Sequence, residues 1–129
     1  LVMAAAVSDY RPAVRAENKI KKEQHDHLNI ELTENPDILY GLGQKKTHQF
    51  LVGFAAETRD VIEYGKAKLA KKNLNLLVAN DVAQQGAGFN VSTNIAALIY
   101  KDGHIEQYLK MTKDDLGHII IEKIAEGIN

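Results

Sequence analysis

The segment Leu51-Val-Gly-Phe-Ala-Ala-Glu-Thr58 constrains the fold more than any other. Leu51 to Phe54 reads as a short buried strand, and small residues follow it. A helix is expected from about Thr58 to Lys72, with Val61, Ile62, Tyr64 and Leu69 on its inner side and Lys66, Lys68, Lys71 and Lys72 along it. In an open α/β sheet, ligands sit outside the carboxyl ends of strands, beside helix N-termini. Strand, small-residue turn, helix and lysines together outline a nucleotide or phosphate site. Lys68 and Lys72 are four apart and share one helical face. Such a pair is commonly solvated surface, and a shared phosphate partner explains it equally well.

The rest of the chain supplies the walls. Leu1 to Val7 is an uninterrupted apolar run, which predicts a strand buried on both faces. Asp9 follows it, where a parallel sheet places ligand-contacting acids; a turn aspartate bonding its own backbone is the alternative. Arg11 to His27 is polar and aperiodic and reads as a loop. Its Lys19-Ile20-Lys21-Lys22 centre is ordinarily a solvated surface, but beside a phosphate site it could close as a lid. Leu28, Ile30 and Leu32 alternate with polar residues, as in a half-exposed strand. Asn35 as N-cap, Pro36 at the first helical position and Asp37 in the first turn predict a helix reaching Lys45 or Lys46. Leu74 to Val78 is a third strand, ending in Ala79-Asn-Asp-Val82. Strand, helix, strand, helix, strand predicts parallel crossovers. Gln84 to Asn94 is a Gly- and Asn-rich loop. Ile95–Tyr100 and His104–Leu109 flank Asp102-Gly103, a two-residue hairpin signal. Thr112 caps a last helix with an apolar stripe of Leu116, Ile119, Ile120 and Ile124, ended by Gly127.

Several chemistries are excluded or disfavoured. The 129 residues contain no cysteine, so disulfides, thiolate zinc sites and cysteine nucleophiles are absent. The net charge of −1 gives no bulk attraction to nucleic acid or membrane. No apolar run approaches the roughly 20 residues that cross a bilayer, and no signal peptide is visible; a cytoplasmic domain is expected. The five histidines are scattered without ligand spacing, so no protein metal site is expected. There is no Gly-x-Gly-x-x-Gly, no P-loop and no Gly-x-Ser-x-Gly elbow. Chemistry here rests on positioning and charge stabilisation. The chain opens inside an expected strand and without methionine, as would a piece of a longer protein.

Five segments in this order, Ala4-Ala-Ala-Val-Ser-Asp-Tyr-Arg-Pro12, Lys19-Ile-Lys-Lys22, Asn35-Pro-Asp-Ile38, Val52-Gly-Phe-Ala-Ala-Glu-Thr58 and Ala79-Asn-Asp-Val82, resemble the bacterial phosphopantothenate–cysteine ligase (phosphopantothenoylcysteine synthetase) family of coenzyme A biosynthesis. The resemblance covers nearly the whole chain. It implies a Rossmann-like, parallel three-layer α/β sheet with an added hairpin or strand element for dimerisation. Residues 1–129 would be a single domain, the C-terminal two-thirds of the synthetase domain, without the glycine-rich turn and asparagine at the family domain's start. The implied reaction joins 4′-phosphopantothenate and L-cysteine using CTP with Mg²⁺, through an acyl-cytidylate, releasing pyrophosphate and CMP. It implies a homodimer, and in many bacteria a fused flavin-dependent decarboxylase domain.

Carried over by motif, Asp9 contacts the nucleotide or its metal. Lys19 is the triphosphate-binding, catalytic lysine of a flexible lid. Pro36, Asp37, Ile38 and Leu39 line the cytidine pocket, and Phe54 packs at the base or ribose. Lys68 and Lys72 meet the nucleotide, and Ala4 and Ala5 let the ligand approach the strand end. Asn80 and Asp81 match without an assigned role, and Phe89 and Asn94 mark a looser match. The alternatives are a non-catalytic nucleotide-binding module and a Rossmann-type NAD(P) oxidoreductase. The fragment alone could bind nucleotide without turnover.

Overall fold

Leu76, Leu77, Val78 and Ala79 are completely buried, and this strand lies at the centre of a five-stranded sheet. The computed structural model describes residues 1–22, 27–81 and 93–129. They form two compact units: Leu1–Ala4 with Leu39–Asn129, and Ala5–Ile38.

The larger, sheet unit contains β1 (Val2–Met3), β4 (Val52–Glu57), β5 (Leu76–Asp81), β6 (Thr93–Tyr100) and β7 (Ile105–Thr112), in spatial order β1-β4-β5-β6-β7. β1, β4 and β5 are parallel, in the register Val2 to Val52 and Val52 to Leu76. β6 and β7 run antiparallel, with Leu98 opposite Val78. Side chains alternate across a sheet with period two. Leu77, Ala79 and Ile99 therefore face one side, where they pack with Leu39 of α1 (Ile38–Lys45) and Leu69 of α2 (Val61–Lys71). Val52, Leu76, Val78 and Leu98 face the other, against Leu116 and Ile120 of α3 (Lys113–Ile128). The result is the expected three-layer α/β arrangement, and the hairpin β6–β7 extends the same sheet. Burial of each large side chain contributes roughly 1.5–3 kcal/mol relative to exposure.

Two glycines permit the helix packing. A Cβ at Gly65, on the inner side of α2, would collide with Ile99. A Cβ at Gly43, in the last turn of α1, would collide with the Lys72 carbonyl. A polar joint completes that end: Lys46 Nζ donates to Asn73 O (2.6 Å) and Asn75 Oδ1 (2.8 Å), and Asn75 Oδ1 also accepts from Leu51 N–H (2.9 Å). Burial lowers the Lys46 pKa, with Lys101 adding repulsion.

The smaller, hairpin unit contains β2 (Tyr10–Pro12) and β3 (Leu32–Glu34), antiparallel, with Arg11 opposite Thr33. Tyr10, Leu28, Ile30 and Leu32 are all exposed in it.

Several local expectations are corrected. The apolar run Leu1–Val7 forms only the two-residue β1, because β4 alone pairs with it; Ala4–Val7 are exposed. β4 continues through Ala55-Ala56-Glu57, so the small residues are strand rather than turn. Asp60, at φ 47°, precedes α2 as its N-cap, and Thr58 is not the cap. Tyr64 is exposed, and Gly65 takes the inner position expected of it. The strand expected over Leu28–Thr33 is reduced to Leu32–Glu34. α1 starts at Ile38, because the Asn35 side chain bonds Ser8 and Arg11 instead of capping. The β6–β7 turn is a three-residue loop closed by Tyr100 N–H to His104 O (2.9 Å), with Gly103 at φ 93°. Gly127 lies inside α3, where a Cβ would strike the Phe50 ring. Thr112 does cap α3, its Oγ accepting from Asp115 N–H at 3.1 Å. His25, Val82 and the loop Gln84 to Ser92, including Phe89, lie outside the described residues. Among the described residues, no helix is long and apolar enough to cross a membrane.

Candidate functional site

In the hairpin unit, two of the singled-out motifs meet. The pairing of β2 with β3 brings the end of one strand beside the start of the other, Tyr10 opposite Glu34. Asn35 then joins them: its N–H donates to Asp9 O (2.8 Å) and its Nδ2 donates to Ser8 O (2.8 Å). Arg11 Nη1 donates to Asn35 Oδ1 (2.9 Å) and to Glu34 O (2.8 Å). Ser8 Oγ donates to Tyr10 O (3.0 Å). Asp9 is thereby held alongside the segment Asn35-Pro36-Asp37-Ile38. Asn35 is half-buried, and the other side chains are exposed. The structure joins Asp9 to Asn35, the residue that precedes Pro36 and Asp37. Sequence reading missed the means, because Arg11 and Asn35 lie 24 residues apart. Ala5 and Lys19 are exposed in irregular chain of the same unit.

In the sheet unit, the carboxyl edge of β4 and β5 pairs Ala56 with Asn80 and Glu57 with Asp81. Lys68 Nζ lies 3.6 Å from Glu57 Oε1, so this lysine is tethered to the strand end and its charge is partly balanced. Phe54 packs with the α3-side core, whereas α2 covers the other face. A ligand touching both Phe54 and Lys68 would have to cross the sheet's carboxyl edge. Lys72 is the residue after α2, at the far end of that helix, and its carbonyl abuts Gly43. It follows Lys68, in the last turn of the helix, by one turn, and its N–H donates to the Lys68 carbonyl (3.0 Å). Leu39 is buried in the core, so only its backbone is available to a ligand; Ile38 is half exposed. Ala4 is exposed just beyond β1.

A second polar cluster escaped the sequence reading, because its members are spread over β7 and α3. Glu106 is its hub: Tyr108 Oη donates to it at 2.5 Å, and Lys123 Nζ and His104 Nε2 each lie 3.3 Å away. Lys123 also meets Glu126 at 3.4 Å. The Tyr108 hydroxyl, then Lys123 and His104, hold the Glu106 carboxyl below the usual glutamate range against the opposing effect of burial. The same hydrogen bond raises the Tyr108 pKa, and that of Lys123 is raised chiefly by Glu106. Burial, then Glu106, pushes the Tyr100 phenol well above its usual range. This cluster fastens the β6–β7 hairpin to α3. Beside it, Phe50, Tyr100, Lys101 and Glu126 help line an open cavity of about 340 Å³. Tyr100 is opposite Leu76, at the amino end of β5, so the cavity lies away from the carboxyl edge.

Among the described residues, no three His, Asp or Glu side chains converge as a metal cage. A magnesium ion arriving with a nucleotide needs only one or two carboxylates besides the phosphates. Asp9, exposed beside the Asn35–Asp37 segment, fits that modest role.

A three-layer sheet with parallel strands, flanking helices and polar groups at the strand ends defines an α/β domain of Rossmann-like type. The chain belongs to the family described as DNA/pantothenate metabolism flavoprotein, C-terminal domain, whose model matches residues 1–128. It is 46% identical over 125 residues to the coenzyme A biosynthesis bifunctional protein CoaBC of Bacillus subtilis, covering 97% of this chain and 30% of the relative. Identity to the protein of that name from Escherichia coli K12 is 44% over 125 residues, covering 94% of this chain and 30% of the relative. The chain thus spans under a third of the length of these relatives. Among solved structures, the C-terminal domain of a CoaBC superposes with TM-score 0.70 at 40% identity, covering 96% of this chain and 54% of that one. The DNA/pantothenate metabolism flavoprotein from Streptococcus pneumoniae gives TM-score 0.67 at 25% identity, with coverages of 94% and 57%.

Proposed function

We propose that this chain forms the nucleotide-facing part of a ligase of coenzyme A biosynthesis, joining 4′-phosphopantothenate to L-cysteine at the expense of CTP. Family membership and the relatives' role in coenzyme A biosynthesis support the pathway. The observation that supports the site is the bonding of Asn35, the residue before Pro36 and Asp37, to Ser8 and Asp9, which joins two motifs far apart in sequence. In this reading the phosphopantothenate carboxylate attacks the α-phosphorus of CTP and pyrophosphate leaves. The cysteine amine then attacks the acyl carbon and CMP leaves. Neither step needs a protein nucleophile; both need charge neutralisation and alignment. Mg²⁺ bound with the triphosphate would supply part of that charge, with Asp9 as its protein ligand. Lys19 contacts the triphosphate and stabilises the charge that develops on it. Pro36, Asp37 and Ile38, with the Leu39 backbone, border the cytidine, and Phe54 flanks the base or ribose. Lys68, already set against Glu57, approaches the phosphates from α2. Lys72, one turn further along, meets the nucleotide from the same helix. Ala4 and Ala5 leave room at the strand end.

The exposed Val14, Leu28, Ile30 and Leu32 suit a second copy of the chain, so the working form is a homodimer in the cytoplasm. The rest of the protein, outside this chain, would include a flavin-dependent decarboxylase domain.

A thermal-shift titration with CTP, ATP and NADPH, each with Mg²⁺, tests the nucleotide. CTP is expected to raise the melting temperature selectively, as a ligand of the folded state must. A shift with NADPH alone would overturn the ligase reading in favour of redox chemistry. In the full-length protein, Lys19→Ala is expected to lower turnover about 100-fold, in line with removal of one charge-stabilising group. Unchanged turnover would remove Lys19 from the mechanism.

A further inference from the structure

We infer that Arg11 and Asn35 are positioning residues for nucleotide binding: together they lock the Ser8-Asp9 turn to the Pro36-Asp37-Ile38 segment, so that both address one ligand. The inference rests on the nucleotide reading above and adds two residues that do not themselves touch the ligand.

Asn35 commits its backbone N–H and both side-chain polar atoms to this task. Its N–H serves Asp9 O, its Nδ2 serves Ser8 O and its Oδ1 accepts from Arg11. Arg11 Nη1 divides its two hydrogens between Asn35 Oδ1 and Glu34 O. The ladder has three residue pairs, and Tyr10 and Leu32 are more than half exposed, so among the described residues no fully buried side chain of the hairpin unit fixes the alignment. A bare two-stranded hairpin is marginal in water. The chain direction set at Asn35 is then passed on stiffly, because Pro36 has a fixed φ. Without the bonds around Asn35 the Ser8-Asp9 turn and the Pro36 segment would sample a wider range of relative positions, and binding would have to restrict it.

The side-chain chemistry at 35 is specific. Aspartate could accept from Arg11 but would present an acceptor to the Ser8 carbonyl oxygen. Alanine loses both side-chain bonds. At 11, lysine keeps a positive donor that can serve one or both acceptors.

The test is steady-state kinetics of the full-length protein, with CTP varied and then cysteine varied, alongside melting temperatures. Asn35→Ala and Arg11→Ala are each expected to raise KM for CTP about tenfold, the scale of one or two lost hydrogen bonds. KM for cysteine and the melting temperature should hold. Arg11→Lys should recover most of the loss. The double variant should be no worse than either single one, since both break the same lock. An unchanged KM for CTP would overturn the inference. So would effects that multiply in the double variant, because Arg11 would then act on the ligand directly. Equal losses for CTP and cysteine with a lowered melting temperature would reduce the pair to a general structural role and also overturn it. Absence of CTP-dependent turnover in the unmodified protein would instead overturn the nucleotide reading itself, before any variant is made.

Discussion

In the sheet unit, Leu74, Leu76, Leu77 and Leu98 have no solvent exposure; in the hairpin unit, Tyr10, Val14, Ile30 and Leu32 are each more than half exposed. The first unit is held by apolar burial on both faces of β5. The second is held by a short ladder and by the bonds around Arg11 and Asn35. Burial is strong and non-directional, whereas hydrogen bonds in water are weak and directional. The two units therefore rest on different forces. Residues that bind a flexible, charged substrate gain from sitting where small rearrangements are cheap.

The sharpest break of this contrast is at the core. Leu77→Ala removes a fully buried side chain between α2 and the sheet, and is expected to cost about 2–5 kcal/mol in urea unfolding. A loss below about 1 kcal/mol would mean that the sheet unit tolerates a cavity there. A smaller effect is expected at the Glu106 hub, where the sheet unit borrows the hairpin unit's polar chemistry. The Glu106 carboxyl is held below its ordinary range, so its stabilisation is present at neutral pH and is lost as pH falls through its folded-state pKa. Glu106→Gln should cost under about 1 kcal/mol at pH 7, because the hub is part-exposed. It should also flatten the acid limb of stability below the usual glutamate range. An acid limb identical to that of the unmodified chain would remove Glu106 from the acid response. The smallest effect belongs to the hairpin unit: Ile30→Ser should change monomer stability by less than about 0.5 kcal/mol. At higher concentration the same variant should weaken self-association in sedimentation experiments. A stability loss matching that of Leu77→Ala would show that the two units share one core.

Where a side chain's neighbours are set by its own element, the sequence was readable. The stripe Leu116, Ile119, Ile120 and Ile124 follows helical spacing and packs on the sheet, and Thr112 caps as a serine-like oxygen at that position should. β5 was visible as a dense apolar run. The errors fall where distant partners decide. Asn35-Pro36 has the local grammar of a helix start, but Arg11 and Ser8 compete for the asparagine, and the helix waits until Ile38. The run Leu1–Val7 has the composition of a two-sided strand, yet apolar content cannot supply a second neighbour. Gly65 carries no hydrophobic signal, although its lack of a Cβ is what lets α2 approach Ile99. Of the expected site, the motifs around Asp9 and Asn35 were legible as candidates, but their adjacency was not. Lys68 and Lys72 were legible as a pair by spacing, but the tether of Lys68 to Glu57 was not, because it joins two different elements.

The path of the chain has one more consequence. It leaves the sheet unit after Ala4 and re-enters at Leu39, while β1 and β4 remain paired across the gap. The hairpin unit is therefore an insertion, spliced into a connection that the sheet must close in any case. Loop-closure entropy rises only logarithmically, by about 0.6 kcal/mol for each doubling of loop length. The sheet can thus accept an insert of very different length or sequence at little thermodynamic penalty. A scaffold wired in this way lets the inserted segment be exchanged as a cassette while the sheet fold stays the same.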